Sequence, residues 1–134
     1  MKSFADLSVL LVEDEYLIAI EAEQMLEDMG IKAIEIASTW NAAAERAEEG
    51  GFDVAILDVN LNGQLSFPIA GKLSERGVPV IFASGYDLRG QGQAGLEGVF
   101  VTKPYTSERV KEALVAVLSG GAAGVATERD FADP

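Results

Sequence analysis

The chain has 134 residues, 49% of them hydrophobic, with a formal net charge of −12 and neither cysteine nor histidine. This length and apolar content predict one globular domain with a full core. The missing residue types exclude a disulfide framework, a thiol nucleophile, His-based zinc sites, Ser-His-Asp triads and a phosphohistidine on this chain. The acidic balance repels phosphate backbones, so direct nucleic-acid binding is not expected. No apolar run approaches the roughly 20 residues that span a bilayer, and the opening MKSFADLS lacks a secretory apolar core. The expected location is therefore cytoplasmic.

Ser8–Val12 (SVLLV) reads as a buried strand that runs directly into Glu13-Asp14-Glu15. Three adjacent acids repel one another unless compensated, and they suit the first turn of a helix, where the dipole favours negative charge. A helix follows, with Leu17, Ile18, Ala22, Met25, Leu26 and Met29 at three- and four-residue steps and Gly30 as its stop. Ile31–Ala37 alternates in part and reads as an outer strand. Ser38 or Thr39 can cap a helix over Trp40–Glu49, which Gly50-Gly51 ends. The apolar run Val54-Ala55-Ile56-Leu57 stops on Asp58 and is followed by the turn residues Asn60, Asn62 and Gly63. It reads as the central strand of a parallel sheet.

Ser66 near the N-cap and Pro68 in the first turn open another helix, with Ile69, Ala70 and Leu73 on its apolar face and Gly77 closing it. Val78–Ala83 is the fourth strand and leads into Ser84-Gly85-Tyr86. Asp87–Gly98 carries Gly90, Gly92, Gly95 and Gly98, each costing a helix about 1 kcal/mol relative to alanine. A helix here is expected to be short, frayed or mobile. Val99–Thr102 is the fifth strand, followed by Lys103-Pro104-Tyr105. Thr106 caps a last helix with Glu108 in its first turn and Val110, Leu114, Val117 and Leu118 in its buried stripe. From Ser119 onward small residues dominate, which predicts a folded domain over 1–118 and a flexible tail over 119–134.

Five strands alternating with five helical segments predict an α/β fold: a doubly wound, parallel five-stranded sheet with right-handed crossovers, in the flavodoxin-like order 2-1-3-4-5. In that order Glu13, Asp14, Asp58, Ser84 and Lys103 line one crevice at the carboxyl ends of neighbouring strands. For Asp58 alone, a strand-capping residue facing water is an equal reading. Two carboxylates about 4 Å apart repel by roughly 4 kcal/mol at an effective dielectric of 20. Lys103 offsets one charge, and Mg²⁺ with oxygen ligands suits the rest. The alternative is an acid cluster with raised pKa values and no metal.

This combination fits phosphoryl transfer to a carboxylate. Asp58 would be the nucleophile, with Lys103 and the Ser84 hydroxyl on the phosphoryl oxygens. Asp14 would bind the metal directly, Glu13 through water, and the Asn60 carbonyl would add a backbone ligand.

The stretches LLVEDE, ILDVNL, FASGY and VFVTKPY resemble, in order and spacing, the receiver domain of bacterial two-component response regulators. The resemblance covers about Ser8 to Leu118. It implies Asp58 as phosphoacceptor, Glu13 and Asp14 as the acidic pair, Ser84 as switch hydroxyl, Lys103 as the motif lysine and Phe100 at the aromatic switch position. It also implies a phosphoacceptor rather than an enzyme, with a sensor histidine kinase and a downstream protein as partners.

Phe82-Ala83-Ser84-Gly85-Tyr86 is similar to a subgroup of stand-alone receivers marked by Phe-Ala-Thr-Gly-Tyr, with serine replacing threonine here. That likeness implies HWE-type kinase partners, a poorly ordered fourth helix and a switch role shared with or taken over by Tyr86. Two other readings stay open. One is a receiver-like interaction module that never binds phosphate. The other is an aspartate-nucleophile phosphatase of the haloacid dehalogenase type, which would place Asp-x-Asp after the first strand; here Asp58-Val59-Asn60 comes third and lacks the second acid.

Overall fold

The computed structural model describes residues 2–85 and 99–119. A 3₁₀ turn at Phe4–Asp6 precedes β1 (Ser8–Val12), α1 (Tyr16–Asp28), β2 (Ala33–Ala37), α2 (Trp40–Glu49) and β3 (Val54–Asp58). Then come a small hairpin of β4 (Asn60–Leu61) and β5 (Gln64–Leu65), α3 (Phe67–Glu75), β6 (Val80–Ser84), β7 (Val99–Thr102) and α4 (Ser107–Leu118). The main sheet runs β2-β1-β3-β6-β7 with every pairing parallel. Setting the hairpin aside, this is the expected order 2-1-3-4-5. The questions raised over Asp87–Gly98, Tyr86 and the tail beyond Ser119 lie outside the described residues.

The inner strands β1, β3 and β6 are apolar on both sides because the sheet is covered on both sides, whereas edge strand β2 leaves Ala33 and Glu35 exposed. Val9, Leu11, Val54, Ile56, Ile81, Ala83, Val99 and Val101 pack with Ala22 and Leu26 of α1 and Val110, Ala113 and Leu114 of α4. Alternate residues Leu10, Val12, Ala55, Leu57, Phe82 and Phe100 pack with Ala43 and Ala47 of α2 and Ile69, Ala70 and Leu73 of α3. This period of two is the pleat of the strands, and a run such as VAILD stays buried at every position.

Two strands start later than their apolar patterns suggest, for one reason. After α1, Gly30 adopts φ +100°, its N–H donates to Glu27 O, and the Ile31 N–H donates to Leu26 O. After α3, Gly77 adopts φ +78°, its N–H donates to Ser74 O, and the Val78 N–H donates to Leu73 O. Both are Schellman caps with a buried apolar residue just past the glycine. Ile31 and Val78 thus belong to helix ends, and the strands begin at Ala33 and Val80.

Two helix details also depart from the pattern. The acids 13–15 do not enter the first turn of α1, which starts at Tyr16 after Glu15 as N-cap. Leu17, expected on the apolar stripe, is exposed, while Ala19 joins the expected Ala22 and Leu26 at the buried positions. Thr39 and Thr106 do cap their helices, accepting from Ala42 N–H and Arg109 N–H. Among the described residues no helix is long and apolar enough to cross a membrane.

Candidate functional site

The carboxyl edge of the sheet collects the charged residues through strand periodicity. Glu13 extends β1, its N–H donating to Ala37 O at 3.1 Å, and Lys103 extends β7, its N–H donating to Ser84 O at 2.8 Å. Counting by twos from Leu11, Ile56 and Val101, all on the α1–α4 side, gives Glu13, Asp58 and Lys103. Lys103 Nζ lies 2.9 Å from Asp58 Oδ2 and 2.7 Å from Glu13 Oε1. One ammonium therefore bridges two buried carboxylates. The other oxygens are held by backbone: Glu13 Oε2 accepts from Glu15 N–H at 3.1 Å, and Asp58 Oδ1 from Asn60 N–H at 3.2 Å.

Asp14 is less buried, and its Oδ2 accepts from Asn62 N–H at 3.0 Å. That bond comes from the β4–β5 hairpin, whose two-residue turn is Asn62-Gly63 with φ +51° and +92°. Asn-Gly is the preferred pair for such a turn, so the hairpin was written in the sequence, although only a turn was anticipated there. The Asn60 side-chain oxygen tightens the turn by accepting from Gly63 N–H at 2.7 Å. Trp40 ties the hairpin to α2, its indole N–H donating to Leu65 O at 3.0 Å.

Glu13, Asp14 and Asp58 each present an oxygen within 4.8 Å of the others. The donors are hard carboxylate oxygens, and one acid is partly open to solvent. This set fits a hard divalent cation such as Mg²⁺, which keeps some of its waters.

Electrostatics agree with a site poised for added positive charge. Burial pushes Glu13 up to about 7 against the pull of Lys103 and the Glu15 N–H. Burial also raises Asp58, with Asp14 adding to the rise, although Lys103 and the Asn60 N–H act the other way. For Lys103, burial acts downward but is outweighed by hydrogen bonding and charge from Glu13 and Asp58, so its value rises.

The remaining residues singled out in the sequence occupy varied positions. Ser84 ends β6, buried, one residue past Ala83, which stands opposite Asp58 in register. Phe100 points into the α2–α3 layer and stacks on Phe82 with centroids 5.2 Å apart. Phe67 meets Phe82 edge-on at 5.4 Å. Tyr86 lies outside the described residues. Tyr105, to which the sequence reading gave no role, is buried two residues beyond Lys103, and its hydroxyl has no hydrogen-bond partner. A tyrosine where a phenylalanine would pack as well was the available signal.

Known proteins share this fold. Residues 9–115 match the family description "Response regulator receiver domain". The sensory transduction protein RegX3 of Mycolicibacterium smegmatis is 34% identical over 119 residues, covering 86% of this chain and 52% of RegX3. The chain thus spans about half the length of that curated relative. Among solved structures, SdrG from Sphingomonas melonis Fr1 is 38% identical with a TM-score of 0.74, covering 88% of this chain and 99% of SdrG. The PhyR receiver domain of Erythrobacter litoralis is 25% identical with a TM-score of 0.75, covering 90% and 95% of the two chains. A family match that runs from β1 into α4, over a sheet of the same topology with its acids at the carboxyl edge, shows that this chain belongs to the response regulator receiver domain family.

Proposed function

We propose that this chain accepts a phosphoryl group on Asp58 from the phosphohistidine of a sensor kinase, in a Mg²⁺-dependent reaction, and signals to a partner protein or drains phosphate from its kinase. The observation that carries this reading is the Lys103 ammonium, 2.9 Å from Asp58 and 2.7 Å from Glu13. In the transfer, an Asp58 oxygen attacks phosphorus, the donor's N–P bond breaks, and the departing imidazole nitrogen keeps the electron pair and takes a proton from solvent water. The Asn60 N–H orients the carboxylate, and Lys103 is close enough to follow the oxygens of the incoming group. Glu13, Asp14 and Asp58, with the Asn60 carbonyl, are the residues that would hold Mg²⁺. When bound, the ion supplies positive charge that offsets the phosphoryl oxygens. The new group brings about −1.5 to −2 charge. That charge draws the Ser84 hydroxyl inward and loosens the packing of Phe100, with Tyr86 as the second aromatic candidate, biasing a two-state element.

The Phe82-Ala83-Ser84-Gly85-Tyr86 run supports a stand-alone receiver served by an HWE-type kinase, and the match to SdrG covers 99% of that chain. A docking face for the kinase is supported by apolar side chains that α1 leaves outside, beginning two residues after Asp14. Tyr16 is 75% exposed, Leu17 74% and Ile20 40%. Burying a leucine is worth about 1.5–3 kcal/mol, so Leu17→Asp is expected to lower phosphotransfer by about ten- to a hundredfold. Phosphorylation from a small acyl phosphate should not change. Phosphotransfer from a panel of purified sensor kinases, with both donors on both proteins, tests this; equal loss with both donors contradicts a docking role.

Asp14 serves the metal more than the fold. With Mg²⁺ at a hundred times its dissociation constant, the wild type is expected to gain about 2.7 kcal/mol of stability. Asp14→Ala should lose most of that gain and fold normally without metal. Thermal melts with Mg²⁺ or chelator read the first effect. Trp40 fluorescence is a second readout, because its indole holds the hairpin that holds Asp14.

A further inference from the structure

Lys103 serves two carboxylates at once, and this raises the question of what holds Glu13 if the ammonium is needed elsewhere. Glu13 is fully buried. Its Oε2 has the Glu15 N–H, but its Oε1 has only Lys103, whose Nζ lies 2.7 Å away. The Tyr105 ring is packed in the same core layer as Val101, Val110 and Leu114. Its hydroxyl is buried and unpartnered. A phenol with no settled partner and a carboxylate oxygen held by Lys103 alone thus share one corner of the sheet edge. Burial first, then the charges of Glu13 and Asp58 and the approach of its O–H to the Glu13 carboxylate, push the Tyr105 hydroxyl's pKa upward. Buried polar groups are rarely left unpaired without a use.

We propose that Tyr105 is a positioning residue for Glu13, its O–H donating to Glu13 Oε1 when Lys103 leaves Glu13 for a phosphoryl oxygen on Asp58. This rests on the reading of Asp58 as phosphoacceptor. The phosphoryl group brings more negative charge than a carboxylate and wins the ammonium. A phenol can replace the lost contact on Glu13 and, being uncharged, competes little for the phosphoryl group. Without the phenol, Glu13 retains Lys103 and the transfer slows.

The test uses the full chain, a small acyl phosphate donor and Mg²⁺. Tyr105→Phe keeps the ring, and unphosphorylated it should melt at or above the wild-type temperature. Its phosphate incorporation rate should fall about tenfold, the scale of one hydrogen bond to a charged group. In wild-type protein labelled with ¹³C at tyrosine Cζ, the Tyr105 resonance should shift on phosphorylation. Equal incorporation rates in the two proteins, or a Tyr105 resonance that stays put while phosphate is on Asp58, would overturn the inference. The resonance is read on wild-type protein and decides even if the variant folds poorly. A wild type that takes no phosphate on Asp58 is a different result, one that removes the acceptor reading and this inference together.

Discussion

Asp58→Asn is expected to take no phosphate from a small acyl phosphate, with incorporation falling to background in intact-mass measurements. The amide keeps the shape of the side chain, but its nitrogen and oxygen are poor nucleophiles beside a carboxylate. The fold should survive. Lys103 would then pair with Glu13 alone, one buried cation against one buried anion, where the wild type sets it between two. Melting at or above the wild-type temperature in metal-free buffer accompanies the expected loss, so absent labelling cannot be put down to unfolding. Labelling that persists at the wild-type level would move the acceptor to another residue.

Lys103→Met should have the largest effect on stability. Methionine keeps most of the stem and removes the charge, leaving Glu13 and Asp58 buried side by side. Breaking a buried pair in this way costs about 3–5 kcal/mol, and the cost should depend on pH. A carboxyl group whose folded value lies above its unfolded one penalises the fold at pH above the folded value. That penalty is relieved as pH falls through the folded value toward the unfolded one. For Glu13 in the wild type this window runs from about 7 down to the ordinary 4.5. Removing Lys103 takes away a downward pull on both acids, so the window moves upward. Denaturant melts in chelator should show the variant losing most near pH 8 and recovering toward pH 5. A loss of constant size across that range would contradict a charge-based cause.

Much of this was legible in the sequence because the sheet is buried on both faces. VAILD and VFVT read as strands without ambiguity, and their carboxyl ends named Asp58 and Lys103 directly. What failed was local. Ile31 and Val78 look like strand starts, yet they are the apolar residues that complete Schellman caps. Leu17 fits a helical stripe by spacing, but it sits in the first turn of α1, beyond the reach of the core, and stays outside. The bridging role of Lys103 between Glu13 and Asp58 was not legible either. It depends on two strand ends continuing in register past their last ladder residues, which spacing along the chain cannot express.

The most direct measurement is to locate the acyl phosphate on the wild-type chain. After treatment with a small acyl phosphate and Mg²⁺, borohydride reduction converts a phosphorylated aspartate to homoserine, which peptide mass spectrometry can place. Homoserine is expected at position 58 and nowhere else. Reduction at another carboxylate, Glu13 or Asp14 included, or none at all while the protein is folded and Mg²⁺ is bound, would contradict that assignment.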